Sequence, residues 1–258
     1  WIHGDSNYSV GIGITNPSIA KVGAGDTQTF AAGIVTAYQI SAAFFSAACN
    51  NGFGGNIAIG NSYTGNISTT NTGHNRAIAF GNNAGCQDTG HNNTFIGDQA
   101  GKNLGFGDDN IIVGGCAMGK SAGIITGSNN IMMGEDIAQN FEFGYGNILF
   151  GGDSANYMTC GQDNIGMGCK SLLHLIKGER NIALGYGSGK MSSTSPGGTP
   201  VGLGTDNIFL GTYATAPHRT PSKYLVIGHG TVVGGFDENT NWIVGDPNYN
   251  IGIGIGTP

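Results

Sequence analysis

The chain has 258 residues, of which 49 are glycine, 39% are apolar and only 10% are charged. That apolar content excludes an intrinsically disordered chain, and glycine without a strict every-third-residue period excludes a collagen. A net charge of −6 argues against nucleic acid or an anionic membrane surface as partner.

Residues 7–17 read NYSVGIGITNP and residues 248–258 read NYNIGIGIGTP, aligning without a gap. A segment that opens and closes on one phrase reads as a tile of a longer modular fibre. It begins at Trp1 with no basic region ahead of an apolar run, so a processed product or an excised segment is expected.

Residues 27–75 carry no charge, and 30–49 (FAAGIVTAYQISAAFFSAAC) are nearly all apolar. Twenty such residues are long enough to span a bilayer. Thr36, Gln39, Ser41 and Ser46 dilute the run, however, and no Lys/Arg cluster flanks it. The expectation is a buried segment that caps a repeat domain and shields its first open edge, without membrane insertion.

From Asn56 to Gly245 a five-residue phrase recurs: NIAIG, AIAFG, NTFIG, NIIVG, NIMMG, NILFG, NIGMG, NIALG, NIFLG, YLVIG and NWIVG. Its closing glycines stand at 60, 81, 97, 114, 134, 151, 168, 185, 211, 228 and 245, and six of the ten intervals are 17 residues. A fixed short period marks a repeat architecture. The fold class is therefore all-β, a parallel β-solenoid of about 17-residue coils. Residues 1–55 form an N-terminal linking and capping segment, 56–245 the solenoid, and 246–258 a C-terminal linking module.

Counting from the closing glycine, positions −3 and −1 hold large aliphatic or aromatic residues such as Ile131/Met133 and Ile148/Phe150. They point the same way along a strand and are expected to form the interior. Position −2 holds Ala58, Phe95, Ile112, Met132 and Leu149 among others, again without a charge. A strand apolar on both faces needs a cover on each, so this second face is expected to meet another copy of the chain. Small residues at +3 (Ala84, Ala100, Ala117, Ser154, Ser171, Ser188, Ala214) predict a tight corner, with the closing glycine making the turn. The recurrent Asn at −4 predicts a turn cap or a side-chain ladder between coils.

Five cysteines (Cys49, Cys86, Cys116, Cys160, Cys169) fall at different registers with no CxxC pairing, and small buried thiols are expected rather than a disulfide or metal framework. His74 and His91 each sit between Gly and Asn, 17 residues apart. They are the metal candidates, read as a surface ladder because no HxH or acid partner accompanies them. The acidic pairs Asp108/Asp109, Glu135/Asp136 and Asp237/Glu238 suit solvated turns better than a glycosidase pair, which must span a sugar bond. HExxH is absent from the sequence, and the Gly-rich strings are turn punctuation because no following helix is predicted. No catalytic residue and no cofactor is assigned.

The interval 185–211 holds nine extra residues, and 212–223 carries two prolines. Between 170 and 223 the charge is +4, against −10 for the rest of the chain. Insertions in solenoids protrude from one face. The ligand-binding candidates are therefore Tyr186, Lys190, Tyr213, His218, Arg219 and Lys223, a basic collar suited to an acidic glycan.

The phrase N-I-A-I-G-x-x-A/S resembles the head repeats of trimeric autotransporter adhesins, whose N-S-V-A-I-G-x-x-S units build left-handed parallel β-rolls in three-chain bundles. GHNNTFIGDQAG at 90–101 is similar to repeats of phage and virus tail fibres. VGIGITNP is similar to a phrase in those fibres and in phage-derived bacterial adhesins, often just before a self-cleaving chaperone. The resemblance implies a homotrimeric fibre segment, extracellular, on a virion tail or a bacterial surface. Its implied partners are neighbouring fibre modules and host or prey cell-surface receptors, polysaccharides among them. Two alternatives stand beside attachment: a tailspike-like polysaccharide depolymerase on the solenoid face, and a purely architectural filament tile.

Overall fold

The computed structural model describes residues 2–4, 10–12, 57–59, 76–86, 88–118, 125–190, 203–216, 221–230 and 241–254. Its strands are short because each coil spends most of its residues on turns. They are, in order, β1 (Ile2–Gly4), β2 (Val10–Ile12), β3 (Ile57–Ile59), β4 (Ile78–Phe80), β5 (Thr94–Ile96) and β6 (Leu104–Phe106). Next come β7 (Ile111–Val113), β8 (Ile125–Ser128), β9 (Ile131–Met133), β10 (Phe143–Tyr145), β11 (Ile148–Phe150), β12 (Cys160–Gln162) and β13 (Ile165–Met167). The last are β14 (Lys177–Glu179), β15 (Ile182–Leu184), β16 (Leu203–Thr205), β17 (Ile208–Leu210), β18 (Leu225–Gly228), β19 (Asn241–Gly245) and β20 (Ile251–Ile253). The chain divides into two units, Trp1–Asn51 and Gly52–Pro258. In the first, β1 and β2 pair antiparallel. The apolar 30–49 stretch lies outside the described residues, among which no helix is long and apolar enough to cross a membrane.

The second unit is a parallel β-solenoid with two sheets. One has twelve strands, β3, β4, β5, β7, β9, β11, β13, β15, β17, β18, β19 and β20; the other stacks β6, β8, β10, β12, β14 and β16. A representative coil runs through β9, a wide turn over 134–142, β10, a two-residue corner at Gly146–Asn147, and then β11. Equivalent positions stack, as Ile148 on Ile165 and Phe150 on Met167. The 17-residue period is thus one circuit through both sheets.

The two faces of the phrase are the reverse of the expected assignment. The interior column is −2: Ala79, Phe95, Ile112, Met132, Leu149, Ala183, Phe209 and Val226 are all fully buried. Behind it lie the +3 residues and a second inward column made by Leu104, Phe141, Met158 and Leu175. The −3 and −1 side chains point outward. The reason is the narrowness of the coil. One inward residue per three-residue strand fills it, whereas two large ones per strand, from Ile and Phe or Met, would not fit.

The −4 asparagines form the expected ladder, running along the corner between the sheets. Asn93, Asn110, Asn130, Asn147, Asn164, Asn181 and Asn207 are buried. From Asn93 to Asn181 each carboxamide oxygen accepts from both the backbone N–H and the Nδ2 of the next Asn, as Asn147 Oδ1 does from Asn164 at 3.2 and 2.9 Å. Over the same rungs each Nδ2 also donates to a glycine carbonyl on the second-sheet side, Asn147 to Gly161 at 2.9 Å. That carbonyl belongs to a further glycine column at −7, comprising Gly90, Gly107, Gly127, Gly144, Gly161, Gly178 and Gly204. A Cβ on Gly144 would lie 2.0 Å from the Gly161 oxygen and 2.7 Å from Phe141, so only glycine lets the rungs approach. The closing glycine is equally constrained: Gly168 has φ +135°, and a Cβ there would meet the Gly185 oxygen at 2.4 Å.

The run of parallel strands ends at β18. The final copy of the phrase, NWIVG, is not another coil. It is β19, which pairs antiparallel with β18 (Leu225↔Gly245, Val226↔Val244) and then with β20. Val244, at −1, takes the buried inward place while Ile243 at −2 is half-buried, so the inward position moves by one residue as the chain direction reverses.

Truncating Asn147 to Ala would take the side-chain partner from two donors of Asn164 and from the Gly161 carbonyl in a dry interior, while the Asn130 oxygen keeps the residue-147 backbone N–H. Each unsatisfied buried group costs about 1–3 kcal/mol. Asn147→Ala is therefore expected to lose at least about 3 kcal/mol in chemical denaturation; a loss under about 1 kcal/mol would contradict the ladder's structural role.

Candidate functional site

Three outward features differ in chemistry. The first is the outer face of the large sheet. From β4 to β18 its two columns carry Ile, Leu, Met, Val and Phe, with Thr94 the one polar residue. Ile96, Met133, Met167 and Leu184 remain 38–40% exposed. No charged side chain interrupts these columns.

The second is the collar. The structure brings three of its predicted residues together on the wide turns after β15 and β17. The Tyr186 and Tyr213 rings meet edge to face at 5.2 Å, and Lys190 Nζ stands 6.0 Å from the Tyr213 centroid, the outer reach of a cation–π contact. A hydrogen bond with Tyr186 is the main cause of an upward shift at the Tyr213 hydroxyl. Lys223 is not part of this group. It is exposed at the tight corner beside β16, where its N–H donates to the Thr205 carbonyl at 2.9 Å. His218 and Arg219 lie outside the described residues, as does 191–202 of the insertion.

The basic excess of the collar is also partly neutralised. Arg180 donates from Nε to Asp206 at 2.6 Å and from a terminal nitrogen to Glu179 at 2.9 Å. The Arg180 hydrogen bond holds Asp206 below the ordinary carboxylate range. Arg180 and Asp206 belong to a corner column at −5 that also includes Asn92, Asp109, Asn129 and Asp163, all in the left-handed backbone region. Asn and Asp tolerate that region better than other non-glycine residues.

His91 does have an acid partner, contrary to expectation. Its Nδ1 lies 3.0 Å from Asp108 Oδ1, and its backbone N–H donates to the same oxygen at 2.8 Å. The neighbouring Asp109 accepts from Asn92 at 2.8 Å. These acids therefore tie adjacent coils together at the corner. His74 and the pair Asp237/Glu238 lie outside the described residues, among which no three His, Cys, Asp or Glu groups gather as a metal cluster would require. The cysteines are not buried as expected. Cys86, Cys116 and Cys160 are half-buried and Cys169 is exposed, all as free thiols, while Cys49 lies outside the described residues.

The third feature was not anticipated. On the outer face of the six-stranded sheet, Phe106, Phe143 and Tyr145 are 63%, 48% and 45% exposed. Between them runs β8, whose outward Thr126 and Ser128 are short hydroxyl residues: Thr126 pairs with Phe106 and Phe143, and Ser128 with Tyr145. The result is an open trough of about 450 Å³ whose lining also includes Asn129 and Asp163. Its aromatic walls stand two strand spacings apart, about 10 Å. Phe143 and Tyr145 cross edge to face at 6.4 Å. The −7 glycine column would have revealed this site, because the residues flanking each such glycine are the outward pair of the second sheet.

One buried acid stands out at the start of the ladder. The preceding coil has Ala77 where the ladder has Asn, so Asn93 lacks an acceptor there. Asp88 fills the gap: its Oδ1 accepts from Asn93 Nδ2 and from the Gly90 N–H, each at 3.0 Å. Its Oδ2 is buried without a partner. Burial pushes this carboxyl up to about 7, with Asp108 adding to the rise, while the Gly90 and Asn93 hydrogen bonds and His91 oppose it.

The folded state thus holds a proton on Asp88 that the unfolded chain releases above about pH 4. The stabilisation linked to that proton is full below the unfolded value of 3.8 and is lost as pH rises through about 7. Asp88→Asn should remove this component. The variant's stability relative to the parent should rise between pH 4 and 7.5, by about 4 kcal/mol at most at about 1.4 kcal/mol per unit. A pH-independent difference in denaturant midpoints would refute the assignment.

No protein-family model, no curated protein and no solved structure matches the chain.

Proposed function

We propose that the chain is a segment of a homotrimeric β-solenoid fibre, on a virion tail or a bacterial surface, that mediates attachment by displaying ligand-binding surfaces along a rigid shaft. The observation that carries this reading is the contrast between the two outer faces. The six-stranded sheet shows solvent Thr126, Ser128, Gln162, Lys177 and Glu179, as a wet face should. The large sheet shows aliphatic columns along the same shaft. One chain following one period does not leave a single face apolar over so many rungs unless that face is covered.

The expectation of a second chain therefore survives the exchange of faces, with −3 and −1 taking the part assigned to −2. Three such flat faces around an axis would enclose a dry prism filled by six side chains per layer. The resemblance to trimeric fibres favours three copies over two. For the ligand, the aromatic trough suits a neutral glycan. Pyranose C–H faces stack on the rings, and hydroxyls meet Ser128, Asn129 and Asp163. One carboxylate and no cation in the lining disfavour an acidic sugar here.

Light scattering on the eluted protein should give three times 26.3 kDa. A stable monomer would sink the reading, and a dimer would remove the three-fold part of it. Ile165→Asp with Ile182→Asp should dissociate the assembly. On a polysaccharide array, Phe143→Ala with Tyr145→Ala should weaken neutral-glycan binding at least ten-fold, whereas Lys190→Ala should not. Unchanged binding by the double variant would dismiss the trough.

A further inference from the structure

The hairpin that closes the solenoid has a twin at the start of the chain. Residues 1–13 read WIHGDSNYSVGIG and 242–254 read WIVGDPNYNIGIG, identical at nine of thirteen positions. These matches include Trp, Asp, Asn and Tyr, so they are not a by-product of a Gly/Ile-rich composition. The pairing is the same too. Ile2↔Ile12, His3↔Gly11 and Gly4↔Val10 in the first hairpin correspond, residue for residue, to Ile243↔Ile253, Val244↔Gly252 and Gly245↔Ile251 in the second.

Their surroundings differ in one respect. The free edge of β19 is taken up by β18 through four residue pairs, Leu225↔Gly245 to Gly228↔Asn241. The first hairpin belongs to a sheet with only two strands among the described residues. An isolated two-stranded hairpin is marginal in water, and a third strand is what stabilises it. A hairpin that keeps the sequence and register of a docked cap, with no third strand among the described residues, suits a partner of the same kind.

We propose that β1 and β2 form an end-cap module. It docks antiparallel, through the outer edge of β1, onto the last parallel strand of another β-solenoid unit, as β19 docks onto β18. The partner is thus a coil ending in a strand like Leu225–Gly228, and the first thirteen residues of this chain belong functionally to the neighbouring unit's tip. This deepens the fibre reading by naming how successive units join. It does not depend on the number of chains in the bundle.

Only four substitutions give the second hairpin the sequence of the first: Val244→His, Pro247→Ser, Asn250→Ser and Ile251→Val. In the otherwise complete chain, at pH 8 where histidine is neutral, this four-fold variant should keep the amide protection of residues 225–228 within ten-fold of the parent. Ile243→Pro, which removes a donor from β19, should lose it by more than a hundred-fold. If the four-fold variant loses protection as the proline control does, the first hairpin is not a competent cap and the inference falls. Oligomeric state, read on the same samples, reports separately on the fibre proposal. Retained protection in a monomeric protein would support the cap and defeat the trimer.

Discussion

The asparagine ladder is the constraint on which the rest of this molecule depends. A parallel solenoid must turn a corner twice per coil, and every corner exposes backbone groups to an interior that cannot hydrate them. Here one carboxamide per coil answers two needs. It accepts from the next rung and donates across to the second sheet, from Asn93 to Asn207, where Tyr224 N–H takes the last oxygen. Because each Asn is both donor and acceptor, the pattern continues from rung to rung without accumulating charge. Asp and Ser lack that combination: an ionised carboxylate cannot donate, and a hydroxyl has a single proton.

Asp88 shows what a break in the pattern does. Ala77 removes one rung of the ladder, and the nearest acceptor becomes a buried carboxyl that is most at home protonated. A purely packing defect is thereby converted into a titratable one. Near the other end of the ladder the nine extra residues before Asn207 leave the rung intact. Asn207 still donates to Asn181 at 2.8 Å across a sequence separation of 26. Insertions are tolerated wherever the chain returns to the ladder in register.

Much of this was legible in the sequence, because the interval between closing glycines is a direct count of one circuit. The parallel strands, the ladder and the small residues at +3 all follow from that count. The direction of each strand's two faces was not legible. Alternation says which residues share a face but not which face is inside, and in a strand apolar on both sides the usual cue fails. The decisive fact is volume. A coil of two short sheets has room for one inward residue per strand, and Phe95 and Phe209 sit inside while Phe80 and Phe150 do not. The trough is not legible from the glycine that ends the phrase. The −7 column marks the second sheet and with it the flanking Phe143 and Tyr145. The collar is legible in its charge and its break in period, yet charge density along a sequence says nothing about which side of a coil each residue reaches. Lys223 and Tyr213 are ten residues apart and belong to different corners.

The reversal at β18 has a further meaning. A parallel stack has no intrinsic length, since its last strand offers the same unpaired edge as every strand before it, and growth or fusion with other chains is halted only by something that changes direction. β19 and β20 present antiparallel geometry, and the outermost strand, with Gly252 at its centre, is three residues long and is followed by Gly254 in the left-handed region. The hairpin acts as a full stop. The reach of the shaft becomes a number written in the gene as copies of a phrase, and lengthening it requires only more copies before the stop.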